Sequence, residues 1–509
     1  MRLGRARGVA VAAAGASLLL AANGPPSVGA ASDRDVEVGE LRERVESNLA
    51  RHSVPGAAVA LVVDGEVAWA EGFGLADVAT GRPVRADTLF QAGSISKSVT
   101  AWAVLHLAAE GAIDLDAPVE TQVEGWSLPD SPYDTDAVTP RRLLAHTSGL
   151  PFAIGATPRS PARFRSGEVD REAFTLVQAP GSGFIYSNPG YALLALLIED
   201  AAGDDVASVL ATRVLEPLGM EDSTFALDAR DVPRSATGYT ADGAAVAPTW
   251  PSPLGASGLH TTAADLARFL AAAHGGDRAA GRGVLSPDGV RQLHQPRIEA
   301  AGLPHRLMAD EVAYGHFVER IEDDWLVMNA GEEEGWIGGF ATLPATGQGM
   351  VVLTNSRNGY PLIIEELQAW SLANQLGRPT LVGIYTGLRT GAWVAIVLLL
   401  AVSTGLGVTT VRGLRTAAAA RSSRRRSTGV RRFAALGAGV LLLAVWWLLV
   451  AEVLGVFLPA TTPLLGLAVT VTGALMLLRA VAPSLSARAG NPRGSRMADR
   501  AGGGDGPAR

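Results

Sequence analysis

Apolar positions along this chain follow two periods and then, at its far end, fill whole stretches. Residues 57–63 and 67–73 are apolar runs joined by Asp64-Gly65, a pair that favours a tight hairpin turn. Residues 98–107 form an apolar helix closed by Gly111, and 191–202 and 264–273 have helical spacing. Residues 340–343 and 350–353 read as strands, and 363–376 as an amphipathic helix. Strands at both ends with helices between them predict an α/β (α+β) domain. One sheet would be built from the two ends of that domain, with a helical insertion. No internal repeat is present.

Beyond that domain the periodicity disappears. Residues 390–411, 433–457 and 462–482 are each about the ~20 apolar residues that cross a bilayer as a helix. The connection 412–432 carries eight arginines, among them Arg424, Arg425 and Arg426, whereas the connection near Pro459 has no charge. Arginine-rich loops stay in the cytoplasm. The chain would therefore leave the outside at the first span, return at the second, and end inside with a disordered tail over 483–509. Glu452, near the outer end of the second span, fits snorkelling or helix pairing. At the other end, Arg2, Arg5 and Arg7 precede an apolar stretch over 9–22 and Val28-Gly29-Ala30. This is the form of an export signal over 1–30, or of an uncleaved anchor. Both ends thus predict a multi-pass protein of the cell membrane with residues 31–380 as an extracytoplasmic domain.

Charge agrees with that division. The net charge of −7 hides an acidic stretch over 31–388 between two arginine-rich ends. An acidic folded region would repel phosphates, so no nucleic-acid partner is expected. There is no cysteine, which excludes disulfide frameworks, thiolate metal sites and cysteine nucleophiles. No metal and no cofactor is expected. Among 43 basic residues Lys97 is the only lysine. Arginine cannot give up its proton in a protein, whereas a buried lysine can and then acts as a base. From composition alone, chance survival of one lysine explains it equally well.

Lys97 stands three residues after Ser94, at the start of a helix, so the two side chains share one face. A serine hydroxyl is a poor nucleophile until a nearby base removes its proton. Downstream, Tyr186-Ser187-Asn188 lies in a loop just before a helix. A phenol beside a lysine can pass a proton between nucleophile and leaving group, and Asn188 could hydrogen-bond Lys97 or a substrate amide. Taken alone, Asn188-Pro189-Gly190 is simple turn chemistry.

Together, Ser94-Ile95-Ser96-Lys97 and Tyr186-Ser187-Asn188 resemble the active site of the class C β-lactamase and D-Ala-D-Ala carboxypeptidase type of the serine β-lactamase and penicillin-binding protein superfamily. Further segments in the same order carry the resemblance over about 37–376. They are Val54-Pro55-Gly56-Ala57, Thr88-Leu89-Phe90, the run from Leu143 to Pro151 with His146-Thr147-Ser148-Gly149, and Glu216-Pro217-Leu218-Gly219-Met220. The run from Gly258 to Leu266 and Val352-Leu353-Thr354-Asn355 complete them. The resemblance implies a β-lactamase-like fold, an antiparallel sheet flanked by helices plus a helical lobe, with the site in the cleft between them; the three transmembrane helices read from the apolar stretches follow it. It implies that Ser94 is acylated and freed by water, that Lys97 and Tyr186 handle protons, and that backbone N–H groups of Ser94 and of the residue after a third motif hold the oxyanion. His146 and His260 would support the fold beneath the site.

The third motif departs from the pattern. It is usually Lys or His, a small residue, then Gly, on the strand edging the cleft. The register that best fits the following Gly339-Phe340 is Glu333-Glu334-Gly335-Trp336, which puts Glu333 in place of the cation. Asn329-Ala330-Gly331 is the alternative register. An acidic run there would repel a substrate carboxylate. The expected substrate is then a neutral ester or a peptide with a free amine rather than a β-lactam, unless the run is only a solvated loop. An active hydrolase of cell-envelope peptides or esters is the expected function. The competing readings are a β-lactamase, a non-catalytic binding or sensing protein of the same fold, and a transport or scaffolding role for the spans.

Overall fold

In the computed structural model, the described residues are 33–152, 170–246, 255–274, 281–306, 308–321, 324–419, 429–450, 454–455, 457–458 and 461–488. The expected export signal over 1–30, Glu452 and all of the tail beyond Arg488 lie outside them. The chain falls into two compact units, Met1–Arg44 and Val45–Arg509. The described part of the first is the start of the helix Asp33–His52. All that follows concerns the second.

Thirteen strands form among the described residues. They are β1 (Gly56–Val63), β2 (Glu66–Asp77), β3 (Arg82–Pro83), β4 (Phe90–Gln91), β5 (Gly238–Tyr239), β6 (Ala245–Val246), β7 (His260–Thr261), β8 (Ile298–Glu299), β9 (Glu311–Val312), β10 (Phe317–Ile321), β11 (Asp324–Glu333), β12 (Trp336–Leu343) and β13 (Gln348–Thr354). Nine make one sheet in the order β3-β2-β1-β13-β12-β11-β10-β9-β8. Its neighbours are antiparallel throughout. The β1–β2 hairpin turns at Asp64 and Gly65, whose φ angles are 54° and 75°. Positive φ at both positions matches the right-handed twist of the flanking strands.

The first and last strands of the domain meet at mid-sheet, with Ala57 opposite Thr354. Asn355 locks that junction. Its Oδ1 accepts from the Gly56 amide at 2.8 Å, and its Nδ2 donates to the carbonyls of Leu75 and Thr237 at 3.0 Å each. The central strands β12 and β13 are buried almost throughout because both faces are covered. The helix Ala263–Ala272 packs on β1, β2 and β13, and Gly359–Ala373 packs on β12 and β13. The helical lobe is inserted between β4 and β7. Its centre is Ser96–Ala109, packed against Asn188–Ala202. Ser96–Ala109 is buried on nearly every side, which accounts for the mainly apolar run from Ala101 to Ala109 that follows its polar first turn.

At the far end, the first expected span is part of a single helix, Thr380–Ala419. Within it Thr380–Arg412 is long and apolar enough to cross a membrane, and among the described residues it is the one helix that is. The second stretch is helical over Gly429–Val445 and continues as a π-helical turn, Trp446–Val450. The third is helical over Thr462–Arg488. Of the expected loop 412–432, the described residues up to Ala419 and from Gly429 on are helical, and 420–428 lie outside the described residues. The helix Thr462–Arg488 packs against both of the others, and Ser403 and Thr472 share a buried hydroxyl–hydroxyl hydrogen bond of 2.8 Å. Trp393, Val397, Leu398, Leu441 and Leu467 are exposed large apolar side chains on these helices.

Candidate active site

Ser94 sits on a 3₁₀ turn, Gly93–Ile95, that leads directly into Ser96–Ala109. Between Gln91 and Thr100 it is the one residue that is not buried. The turn is held from beneath by Ser96, whose hydroxyl donates to the Gly93 carbonyl at 2.6 Å and accepts from the Leu259 amide at 3.0 Å. Gly93 has φ 52°, and a Cβ there would lie 2.6 Å from the Glu332 nitrogen. Only glycine fits both the backbone and that gap.

Lys97 places Nζ 3.0 Å from Ser94 Oγ and 2.7 Å from the Ala256 carbonyl. It is 1% exposed, and no carboxylate pairs with it among the described residues. Lys97 Nζ lies over the Tyr186 ring, 4.9 Å from its centroid, and 5.7 Å from that of Tyr191. The lone lysine, the serine and the phenol therefore share one cleft. Lys97, His146, Tyr186, Gly315, Phe317 and Asn329 contribute to its lining.

The loop that carries Tyr186 is fixed by His146. The His146 carbonyl accepts from the Ile185 amide at 2.9 Å and its Nδ1 accepts from the Ser187 amide at 3.0 Å. Accepting at Nδ1 leaves the ring proton on Nε2. Burial, then the charge of Lys97, then His305 hold this imidazole well below its ordinary range and hence neutral. The ring stacks on Tyr186 at 4.4 Å. Ser187 caps the helix Asn188–Ala202 by accepting from the Gly190 amide at 3.0 Å, so Asn188 is the first helical residue, half-buried. His260 pairs with Gln91 across β4 and β7, away from this lining.

Sequence reading missed His305. It also stacks on Tyr186, with centroids 4.8 Å apart and planes 21° apart, and it packs edge-on against Phe184 at 5.3 Å. His146 and His305 thus both stack on the Tyr186 ring. No spacing or motif marks His305, which comes from the short helix Leu303–Arg306.

The third motif takes the register that the following Gly-Phe spacing disfavoured. Pairing of β10 with β11 stops at Phe317–Met328, leaving one backbone edge of 329–333 facing the serine turn. A Cβ on Gly331 would lie 1.9 Å from the Ala92 carbonyl oxygen and 2.9 Å from the Ser94 nitrogen. Gly331 and Glu332 thus abut the nucleophile turn. Glu333 pairs with Trp336 across β11 and β12, and Glu334-Gly335 form the turn between those strands. Trp336 is buried, with its ring against Gly238. Two residues before Gly331 on the same strand stands Asn329. Its Nδ2 donates to the Gly315 carbonyl at 2.9 Å, to Ser98 Oγ at 3.0 Å and to the Ser94 carbonyl at 3.3 Å. Beside it the Glu332 carboxylate is not bare. Arg357 pairs with it at 2.5 Å and the Tyr360 hydroxyl donates to it at 3.1 Å. Burial, and then Glu332, push the Tyr360 phenol well above its ordinary range.

The family described as Beta-lactamase matches residues 41–374. Protein flp of Staphylococcus aureus is 26% identical over 338 residues, 64% of this chain and 64% of its own. Esterase EstB of Burkholderia gladioli is 34% identical over 191 residues, 35% of this chain and 48% of the esterase. The octameric penicillin-binding protein homologue from Pyrococcus abyssi superposes with a TM-score of 0.58 at 28% identity, covering 67% of this chain and 78% of that one. The chain spans less than two thirds of the length of the curated relatives, 64% for protein flp. With the match covering most of the chain, and the serine, lysine and tyrosine of the motifs gathered in one cleft, the protein belongs to the Beta-lactamase family.

Proposed function

We propose that the protein is a membrane-anchored serine hydrolase whose catalytic domain works outside the cytoplasmic membrane, through an acyl-enzyme, on ester or peptide substrates of the cell envelope. The observation that carries this reading is the 3.0 Å approach of the buried Lys97 Nζ to the partly exposed Ser94 Oγ. As Ser94 Oγ attacks the acyl carbon, its proton passes to Lys97. The N–H groups of Ser94 and Glu332 receive the negative oxygen of the tetrahedral intermediate. Losing one such donor typically slows acyl transfer by about 10²–10³. Tyr186 relays the proton to the leaving group, and water then cleaves the Ser94 ester by the reverse path.

Asn329 supplies no cation for a substrate carboxylate, and Arg357 is already engaged by Glu332. Neutral esters and amine-bearing peptides are the better fit, and likeness to an esterase supports the ester. Three spans with the loop 412–432 inside would anchor the domain. Their support is the apolar helix Thr380–Arg412 and the exposed apolar side chains on the helices packed with it. The deciding experiment is labelling of the full chain with a fluorophosphonate probe, with an ester, peptide and β-lactam panel alongside. Labelling that disappears in Ser94→Ala is expected. A chain that takes up no probe would be a non-catalytic member of the family.

A further inference from the structure

Where the helix Thr380–Ala419 leaves the hydrolase domain there is a cavity of about 440 Å³, remote in sequence from every motif of the active site. Its polar lining includes Arg51, His52, Glu365, Tyr385 and Arg389. Glu365 gathers them. Its carboxylate lies 3.1 Å from Arg51, 3.1 Å from His52 and 3.1 Å from Arg389, and accepts from the Tyr385 hydroxyl at 3.3 Å. One carboxylate thus serves two guanidinium groups. Two guanidinium groups against one carboxylate leave the cluster one positive charge in excess. The charge is also accessible, since the Arg51 and Arg389 side chains are 56% and 47% exposed whereas Glu365 is 13% exposed. A guanidinium carries five N–H donors in a fixed fork, so contact with Glu365 leaves donors for a second anion.

The rest of the lining is Pro361, Trp393, Leu458 and Thr461, mostly apolar. Trp393 and Leu458 belong to the helical end of the chain, and Trp393 is half exposed at the start of its apolar face. Aromatic side chains with one wet and one apolar side collect at the boundary between headgroups and hydrocarbon. Basic pockets beside membrane helices suit anionic headgroups. In the proposed topology, Arg389, Trp393 and Leu458 all stand at the outer ends of their spans.

We propose that this cavity binds the phosphate of an anionic phospholipid headgroup from the outer leaflet, with Arg51 and Arg389 as the anion-binding pair. The lipid would fasten the hydrolase domain to its own anchor. The proposal rests on the membrane-anchored reading above but not on catalysis.

The test uses the full chain in nanodiscs holding equal amounts of phosphatidylglycerol and phosphatidylcholine. The protein is released into detergent, and retained lipids are counted by native mass spectrometry. Preferential retention of phosphatidylglycerol is expected. It should fall roughly fivefold for each arginine lost in Arg51→Gln and Arg389→Gln, and rise in Glu365→Gln, which removes the competing carboxylate. Inorganic phosphate at the same concentration should not displace the lipid. Equal retention of the two lipids, a preference that survives in the double variant, or displacement by phosphate alone would each overturn the proposal. The last result would mean a simple anion site. Fluorophosphonate labelling at Ser94 serves as the folding control in every variant. If the wild-type chain itself took up no probe, the hydrolase reading would fail while the lipid count still decided this one.

Discussion

The side chain of Asn329 reaches the backbone carbonyl of Ser94, 3.3 Å away, from the strand beside the serine turn. An amide there ties the strand to the nucleophile turn and to Gly315, but it offers a substrate carboxylate no charge. Asn329→Lys would supply one. The expected outcome is a roughly tenfold or larger rise in kcat/KM for a carboxylate-bearing β-lactam relative to a neutral ester, since a hydrogen bond to a charged group contributes about 1.5–3 kcal/mol. The ratio of the two kcat/KM values is the measurement. An unchanged ratio would mean that the position does not select substrate charge.

Lys97→Arg puts a guanidinium group, which cannot act as a base, in place of the amine that accepts the Ser94 proton. Acyl transfer should fall by about 10²–10⁴, the usual contribution of a positioned base, and by as much as in Lys97→Ala. Pre-steady-state acylation by the fluorophosphonate probe checks this. Substantial acylation in the arginine variant would show that Lys97 acts by charge alone.

Buried imidazoles set the acid limit of the fold. Burial pushes His316 down to about 4, against a smaller opposing effect of its hydrogen bond to the Tyr314 carbonyl. An unfolded histidine titrates near 6.5. Between those values the unfolded chain binds the extra proton, so stability is complete above about pH 6.5 and is lost as pH falls toward 4. His316 alone should cost about 2 kcal/mol between pH 7 and pH 5. Chemical unfolding across that range should show the loss, and His316→Asn should flatten it. His146 and His294, both lowered by burial, add to it in the same direction.

Asn355 has no exposed surface and bonds to Gly56, Leu75 and Thr237. Truncation in Asn355→Ala leaves an amide and two carbonyls without partners in the core. A loss of about 3 kcal/mol is expected from unfolding measurements, with Ser94 still labelled in whatever fraction remains folded.

Much of this was legible where one local signal dominated. Asp64-Gly65 marked the first hairpin because two positive φ angles in succession leave few residue choices. The apolar helix behind Ser94 could be read because it is buried on nearly all sides. Ser94, Lys97 and Tyr186 could be gathered because their two motifs together resemble a known active site, which the solitary lysine alone would not have established. The strand beside them was harder. β11 mixes acidic and small residues, so its alternation is weak, and two glycine-containing registers competed. What chose between them is a close approach of Gly93 to Glu332 and of Gly331 to Ser94, a contact between segments distant in sequence. His305 reaches Tyr186 the same way, and no spacing in the chain foretells it.

The mid-sheet union of β1 and β13 has a consequence for how the molecule is made. Gly56 waits for Asn355, 299 residues later, before the centre of the sheet can close. Such distant pairing folds slowly. The ribosome must therefore deliver almost the whole hydrolase domain before its core can form, and the apolar helices emerge next. A nascent chain stalled shortly before residue 350 should remain open to proteases along its entire length, whereas one released a few dozen residues later should acquire a resistant core in a single step.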